Sequence, residues 1–392
     1  MLRFFSLLIR KLQSYKASRQ VLHNFQQWKE VQQNLPPYFC KSKKLLIIRL
    51  DDIGDYLLSR NMLQFYKQGR WKDYEITLLG NDAWKGFFDE LDNAVVDKVL
   101  WLNKKRFFES TSYRMEIWTE LRKEGFEVVI CPSRTRPLLL DDICMLATGA
   151  LIKIASENTF VNKKRNRLSD NLYTGLYQTK KEQIHEFHFN QQFANWVCHT
   201  NRVLQRPEIT AANLSIPSQH YILCFIGASV KSKRWPEKQW IQFIKLYKQK
   251  YVGSVIIAGG EADIKTANSI CAETGAKSIA GSTSLKDMIT YVCNANAVVT
   301  NDTMSVHLAA SCNKSTIIIA NGNKYYRFTE YGKAGINNIT SIYPEAFTRK
   351  LNNKGDNLSE HYTAVTADIG TIKADKVFSR FVELHDNWKF LK

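Results

Sequence analysis

Three short segments of the 392-residue chain combine carboxylates, cations and small residues in patterns that suit chemistry on a phosphorylated substrate. The first, Arg49–Asp55 (RLDDIGD), places three carboxylates and a glycine directly after an apolar run. Such a carboxylate can act as a general base, and Gly54 allows a ligand or a second backbone to approach closely. The alternative is that Asp51, Asp52 or Asp55 only caps the helix that follows.

The second segment, residues 226–237 (IGASVKSKRWPE), carries three cations between a Gly-Ala-Ser turn and the start of a helix. Pro236 suits the first helical turn. Cations at the carboxyl end of a strand favour a phosphate ligand. The alternative is a solvated basic loop. This alternative is less favoured because a second anion-binding pattern follows along the chain.

That further pattern lies in residues 299–310 (VTNDTMSVHLAA), where a buried strand is predicted to run into a helix. Backbone amides at a helix N-terminus bind anions, although Asp302 or Thr303 could serve only as caps. His307, taken alone, fits a structural role better than a catalytic one. Residues 256–261 end in a Gly-Gly turn, which favours close approach of a ribose or base or is a plain tight turn.

The pattern of apolar residues predicts the strands and helices that would bring these segments together. Lys44–Leu50 (KLLIIRL) is typical of a parallel strand buried on both faces. Strands alternate with helices in two series, so the sequence predicts an α/β protein with two doubly wound domains facing a central cleft. The predicted strands are Lys44–Leu50, Glu75–Leu79, Asp97–Leu102, Val128–Cys131 and Leu151–Ala155, then Tyr221–Ile226, Ser254–Ala258, Lys277–Ala280, Ala297–Thr300 and Thr316–Ala320. Residues 157–182 are predicted as a long loop, and helices are expected at residues 56–68 and 370–388.

The charge balance indicates an anionic partner. The chain has 55 Lys and Arg against 37 Asp and Glu, a formal net charge of +18. Residues 1–49 contain ten of these cations and a single acid, Glu30. This segment either forms an amphipathic basic helix at an anionic membrane surface or packs on the protein itself. No apolar run is long enough for a membrane span, no secretory signal is present, and no motif supports nucleic-acid binding.

Cofactor and metal sites are not expected. The chain has neither the G-x-G-x-x-G pattern of dinucleotide-binding proteins nor the phosphate-binding loop of Walker-type NTPases. Its eight cysteines form no C-x-x-C pair and are expected to be reduced thiols. His185 and His188 lack further ligands at zinc-site spacing and are predicted to be surface residues of a helix.

The three motifs together resemble glycosyltransferase family 9, whose best-known members are the ADP-heptose:lipopolysaccharide heptosyltransferases. They are RLDDIGD, GASVKSKRWPEKQW and AGSTSLKDMITYVCNANAVVTNDTMSVHLAAS, in the expected order. The resemblance covers residues 43–320 and the terminal helix. It implies a GT-B fold with an acceptor-binding domain (43–205), a nucleotide-sugar-binding domain (206–368) and a C-terminal helix (369–392). The basic amphipathic extension (1–42) and residues 321–365 have no counterpart in the resemblance.

The resemblance also implies roles for single residues. Asp55 is expected to be the general base, with Asp51 and Asp52 as fallback candidates beside Gly54, and Lys233 to stabilise the departing diphosphate. The donor site is expected to include Ser229, Glu261, Asp302, Thr303, Met304, Ser305 and His307. No cofactor and no metal are implied.

One departure concerns Met304, which replaces the glycine of the family's Asp-[Thr/Ser]-Gly-x-x-His motif. The expected activity is inverting, metal-independent transfer of a heptose-like sugar from an ADP-activated donor to a phosphorylated glycolipid of the lipopolysaccharide type. The expected location is the inner face of the cytoplasmic membrane. Two alternatives remain open: a family member that uses another nucleotide sugar, and a catalytically degenerate protein that only binds glycolipid or a partner.

Overall fold

Two parallel β-sheets of six strands each form the framework of the described part of the chain. This computed structural model describes residues 2–159, 163–178, 184–209, 220–354 and 367–386, without the side chains of residues 2–16. The first sheet contains β1 (Lys41–Arg49), β2 (Glu75–Asn81), β3 (Lys98–Leu102), β4 (Phe126–Cys131), β5 (Ile152–Ser156) and β6 (Gly175–Tyr177). The second contains β7 (Tyr221–Phe225), β8 (Ser254–Ala258), β9 (Lys277–Ser278), β10 (Ala297–Asn301), β11 (Ser315–Ile319) and β12 (Ile339–Ile342).

Helices cover the faces of both sheets. Those associated with the first sheet are α1 (Leu2–Val31), α2 (Ile53–Leu57), α3 (Leu63–Gln68), α4 (Lys85–Leu91), α5 (Lys104–Glu109), α6 (Thr111–Glu124), α7 (Ile143–Thr148), α8 (Lys163–Asp170) and α9 (Glu186–Cys198). Those associated with the second are α10 (Glu237–Lys250), α11 (Ile264–Thr274), α12 (Leu285–Asn294), α13 (Met304–Ser311), α14 (Tyr325–Phe328), α15 (Glu345–Lys354) and α16 (Ala374–His385).

Both sheets have the same doubly wound strand order, which decides where a ligand can bind. The orders are β3-β2-β1-β4-β5-β6 and β12-β11-β10-β7-β8-β9. The order reverses between β1 and β4 in the first sheet and between β7 and β10 in the second. Such a reversal opens a crevice at the carboxyl ends of the strands. The three predicted segments follow β1, β7 and β10 and therefore lie at these two crevices. The predicted α/β architecture is confirmed.

Apolar strands explain the two sheets. The last five residues of β1 and all of β7 are buried, as expected for central strands covered by helices on both faces. The described part of α1 packs on the first domain, where Phe25 is buried and the Trp28 ring lies 5.9 Å from those of Phe107 and Trp118. Packing on the protein is therefore observed for the second half of this helix.

Some expectations about local structure are wrong. The segment predicted as a long loop, residues 157–182, contains α8 and the strand β6, which pairs with β5 at the sheet edge. Edge strands form through backbone hydrogen bonds and need little apolar sequence. The helix predicted over residues 56–68 is divided into α2 and α3, separated by a short 3₁₀ turn. The strand β12 was not predicted.

Two predictions about cysteine and histidine are also wrong. Cys293 and Cys312 form a disulfide, because the packing of α12 on α13 brings the Cα atoms of the two cysteines to 5.1 Å. The other six cysteines are free. His185 is buried at the N-terminus of α9, where its Nδ1 accepts a hydrogen bond from the backbone N–H of Phe187. Burial of these groups depends on contacts between distant elements.

Candidate active site

The two domains enclose a cleft of about 920 Å³ at the carboxyl ends of their strands. Its walls contain eleven of the predicted site residues: Asp52, Gly54, Asp55, Ser229, Lys233, Glu261, Asp302, Thr303, Met304, Ser305 and His307. Asp51 lies behind the wall, where its carboxylate accepts hydrogen bonds from Arg49 and Ser133. The structure thus brings the three segments into one site.

The three carboxylates of the turn after β1 differ in their surroundings: Asp52 and Asp55 line the cleft, and Asp51 is held behind its wall. Asp52 precedes α2 but makes no side-chain capping bond; it pairs with Lys104 at 2.5 Å. Asp51 is held by the buried Arg49. Asp55 stands in the first turn of α2. Burial and the neighbouring Asp51 raise its pKa to about 7, although nearby guanidinium groups act in the opposite direction. Such a pKa suits a general base at neutral pH.

A guanidinium from the second domain reaches this carboxylate. Arg327 of α14 lies 3.8 Å from Asp55 through its Nη2 and forms a two-point ion pair with Glu186 of α9. Glu186 is fully buried, and the adjacent arginine charges hold its pKa below the usual range. The sequence reasoning missed both residues, because neither lies in a recognisable motif.

On the second domain, Lys233 and Asp302 form an ion pair of 2.5 Å that joins the segments following β7 and β10. Trp235 anchors the lysine segment: its backbone N–H donates to Asn301 Oδ1, and its ring N–H donates to the backbone oxygen of Ile372. Lys233 is therefore held at the cleft wall by both neighbouring loops, in a position that suits a phosphate.

Asp263 explains the glycines of the turns after β7 and β8, and it too was missed. It accepts hydrogen bonds from the N–H of Gly260 and from the side chain of Arg234. A Cβ atom added at Gly227 would lie 2.1 Å from Asp263 Oδ2, and one at Gly259 would lie 2.8 Å from its Cβ. The Gly-Gly turn is thus a support for the cleft wall, with the exposed Glu261 directly after it.

The helix α13 begins at the cleft without a side-chain cap. Thr303 occupies the capping position, but its hydroxyl bonds the Ser305 hydroxyl at 2.6 Å, and Asp302 is engaged by Lys233. Neither side chain caps the helix, so the alternative that these residues serve only as caps does not hold. A helix N-terminus without a cap, beside a lysine, can receive an anionic group. Met304 lies in the same first turn and lines the cleft.

His307 joins the two domains. Its ring is buried, and Nδ1 is hydrogen-bonded to the Tyr331 hydroxyl at 2.5 Å. Burial lowers its pKa to about 3, so the ring is neutral. The other edge of the ring faces Gly54, where an added Cβ would lie 2.7 Å from Cδ2. Gly54 is thus needed for the close approach of α2 and α13.

Comparisons with known proteins agree with this geometry. The sequence profile of "Glycosyltransferase family 9 (heptosyltransferase)" matches residues 151–353, which is just over half of the chain. The chain belongs to glycosyltransferase family 9. The family resemblance and the assignment as a glycosyltransferase are therefore confirmed. A lipopolysaccharide heptosyltransferase 1 from Campylobacter coli is 24% identical over 345 residues, covering 80% of this chain and 93% of the relative.

Solved structures of the family share the fold. A family 9 glycosyltransferase from Veillonella parvula superposes with a TM-score of 0.67 at 14% identity, covering 90% of this chain and all of the other. E. coli heptosyltransferase WaaC with ADP superposes with a TM-score of 0.65 at 16% identity, covering 87% and 99%. The predicted GT-B fold is thus confirmed.

Within the described ranges there is no group of three or more His, Cys, Asp or Glu side chains placed to hold a metal ion. Likewise, none of the helices in the described part of the chain has the length and the apolar run that a membrane span requires.

Proposed function

We propose that this glycosyltransferase moves a heptose-like sugar from an ADP-activated donor to a lipopolysaccharide core or related surface-glycan acceptor, with inversion and without a metal ion. The observation that carries the proposal is that Asp55 and Lys233 line the same cleft from opposite domains. Relatives named as a lipopolysaccharide heptosyltransferase and as a heptosyltransferase with ADP support this donor and acceptor.

In the proposed reaction the Asp55 carboxylate takes the proton of an acceptor hydroxyl. The hydroxyl oxygen attacks the anomeric carbon as the bond from that carbon to the diphosphate oxygen breaks. One displacement on the face opposite the leaving group inverts the anomeric configuration. General-base catalysis of this kind contributes about 10²–10⁴-fold. ADP leaves with the bonding electron pair, and the proton stays on Asp55 until solvent removes it.

The second domain would hold the donor. Lys233 would stabilise the negative charge that develops on the diphosphate, as a preorganised cation does. Backbone amides at the start of α13, from Thr303 to Ser305, would bind the same diphosphate. Glu261 would bind the ribose hydroxyls, and Ser229 would contact the phosphates.

A panel of nucleotides tests the donor. ADP, UDP, GDP and CDP at about 100 times Kd should each stabilise a protein that binds them by about 2.7 kcal/mol, which a thermal shift resolves. We expect selective stabilisation by ADP, lost in Lys233→Ala. Asp55→Ala should abolish transfer while leaving this stabilisation intact. Transfer that survives Asp55→Ala would contradict the assignment of the base.

Use of another nucleotide sugar is the second candidate function, and Met304 favours it. A methionine where the family motif has glycine adds a side chain to the first turn of α13, directly at the cleft. The pocket next to the diphosphate is therefore smaller. Stabilisation by UDP, GDP or CDP instead of ADP would support this candidate, and Met304→Gly should then widen the range of donors.

Association with the inner face of the cytoplasmic membrane is the last part of the proposal. The cations of residues 1–19 would bind anionic lipid at about 1 kcal/mol each. Deletion of residues 1–40 would also remove Phe25 and Trp28, which pack on the first domain. The sharper variant therefore changes Arg3, Arg10 and Lys11 to glutamine. It should weaken binding to anionic vesicles and raise the acceptor KM; unchanged vesicle binding would refute the role.

A further inference from the structure

The contact between α9 and the segment that follows β11 lies beside the proposed base. Arg327 Nε lies 2.6 Å from Glu186 Oε2, and its Nη2 lies 2.9 Å from Oε1. The planar fork of an arginine matches a carboxylate in this two-point geometry, which fixes the direction of the guanidinium. The same Nη2 lies 3.8 Å from Asp55 Oδ1. One cation thus faces two carboxylates of the other domain.

Burial makes this contact sensitive to the position of the domains. The side chain of Glu186 is completely buried, and that of Arg327 is 16% exposed. A buried carboxylate without a partner is strongly unfavourable. Arg134, 3.9 Å from Glu186, is the other cation in salt-bridge range among the described residues. The two-point ion pair between Glu186 and Arg327 therefore forms only when α14 of the second domain is at its observed position.

Other interdomain contacts surround the ion pair. His188 Nε2 is hydrogen-bonded to the backbone oxygen of Ala334 at 2.9 Å, and the His185 ring lies 4.4 Å from that of Tyr331. The main charges that act on Asp55 are those of Asp51, Arg327, Glu186 and Arg49, and neither histidine is among them. In this interface the ion pair of Arg327 places a charge next to the base, whereas the histidine contacts mainly hold the two domains together. Variants can therefore separate the electrostatic effect on Asp55 from a general loss of interdomain contacts.

The charged and titratable groups that face Asp55 come from four elements. They are Arg49 and Asp51 at the end of β1, Glu186 of α9, His307 of α13, and Lys324 and Arg327 at α14. Asp51 and Glu186 favour the protonated carboxyl group. Arg49, Arg327 and Lys324 favour the carboxylate, and the buried His307 is neutral. Arg327 is the closest cationic side chain that the second domain brings to it.

We propose that Arg327 is a positioning residue for the base: held by Glu186 when the domains are closed, it keeps Asp55 ionised and oriented toward the cleft. The inference rests on the proposed role of Asp55. It adds that the base is complete only after closure, because the carboxylates belong to one domain and the guanidinium to the other. Closure around the substrates thus also prepares the group that accepts the proton.

The pH dependence of kcat/KM tests the proposal, because a purely structural ion pair would not move its acid limb. An opposite charge at this distance lowers a carboxyl pKa by about 1–3 units. In Arg327→Gln the acid limb should therefore move to higher pH by about one unit, and activity should recover at alkaline pH. In Glu186→Gln the limb should move to lower pH, because a negative charge next to Asp55 is removed.

Controls separate this proposal from the proposed function. His188→Ala removes a hydrogen bond of the same interface at a residue that is not among the main charges acting on Asp55, and its acid limb should match that of the wild type. Arg327→Lys keeps the charge and should give a smaller shift; it replaces the glutamine variant if that protein does not fold. If Asp55→Ala retains transfer, the role of the base is wrong. If Asp55→Ala abolishes transfer while the Arg327 and Glu186 variants keep the wild-type limb, the positioning role alone is refuted.

Discussion

Replacing Gly54 by alanine should separate α2 from α13 and misplace the base. The added Cβ would lie 2.7 Å from His307 Cδ2 and 3.2 Å from Nε2, against about 3.4 Å for an ordinary contact. The ring cannot turn away, because it is buried and its Nδ1 is bonded to Tyr331 at 2.5 Å. The helices must therefore move apart by about 0.7 Å, and Asp55 is the next residue along α2.

The expected cost has two parts. Overpacking of this kind destabilises a protein by about 1–3 kcal/mol. A displacement of the base approaching 1 Å lowers the rate by about 10- to 100-fold. We therefore expect Gly54→Ala to lower both Tm and kcat, measured by thermal unfolding and by steady-state transfer. The donor KM should change less, because the residues proposed to bind the diphosphate lie on the other domain.

Gly332→Ala is the matched control, since no atom lies within 4 Å of an added Cβ there. It should leave kcat unchanged and alter the stability by less than about 0.5 kcal/mol. The double variant Gly54→Ala/His307→Ala should recover part of the stability that the single Gly54 variant loses, because the two changes share one contact. Wild-type Tm and kcat in Gly54→Ala would refute the steric reasoning.

Two further predictions follow from the site. Asp55→Asn should raise Tm clearly at pH 8 and have little effect at pH 4, because burial and Asp51 raise the folded-state pKa of Asp55 to about 7, against 3.8 for the free side chain. The cost of ionising the buried carboxyl group therefore builds up as the pH rises from 3.8 to about 7 and reaches about 4 kcal/mol above pH 7; equal Tm differences at both pH values would contradict it. Gly227→Ala should displace Asp263 from the Gly260 N–H and raise the donor KM about tenfold without moving the acid limb; an unchanged KM would show that this contact is dispensable.

The central part of the site could be predicted from the sequence. Apolar runs such as residues 44–50 read as buried parallel strands, and the carboxyl ends of such strands meet at one edge of a sheet. Residues directly after those runs had to lie near one another, which is why Asp55, Lys233 and Asp302 are found in one cleft. The position of these residues can therefore be predicted from the residues that directly precede them in the sequence.

The remaining parts depend on contacts between elements that are distant in the chain. Glu186 and Arg327 are 141 residues apart, and neither stands in a segment with a recognisable pattern. The helix α8 is polar, and β6 is only three residues long and pairs with β5 through the backbone, so neither gives an apolar pattern that can be recognised in the sequence.

The sequence by itself determined the fold class, the family and the residues at the strand ends, because these depend on periodicity and local motifs. The tertiary structure alone decided that Asp51 is held behind the cleft wall and which cation reaches Asp55. The physical reason is that the pKa of Asp55 depends on burial and on charges from the end of β1, from α9 and from α14, and only the packing of two domains brings those charges within a few ångströms.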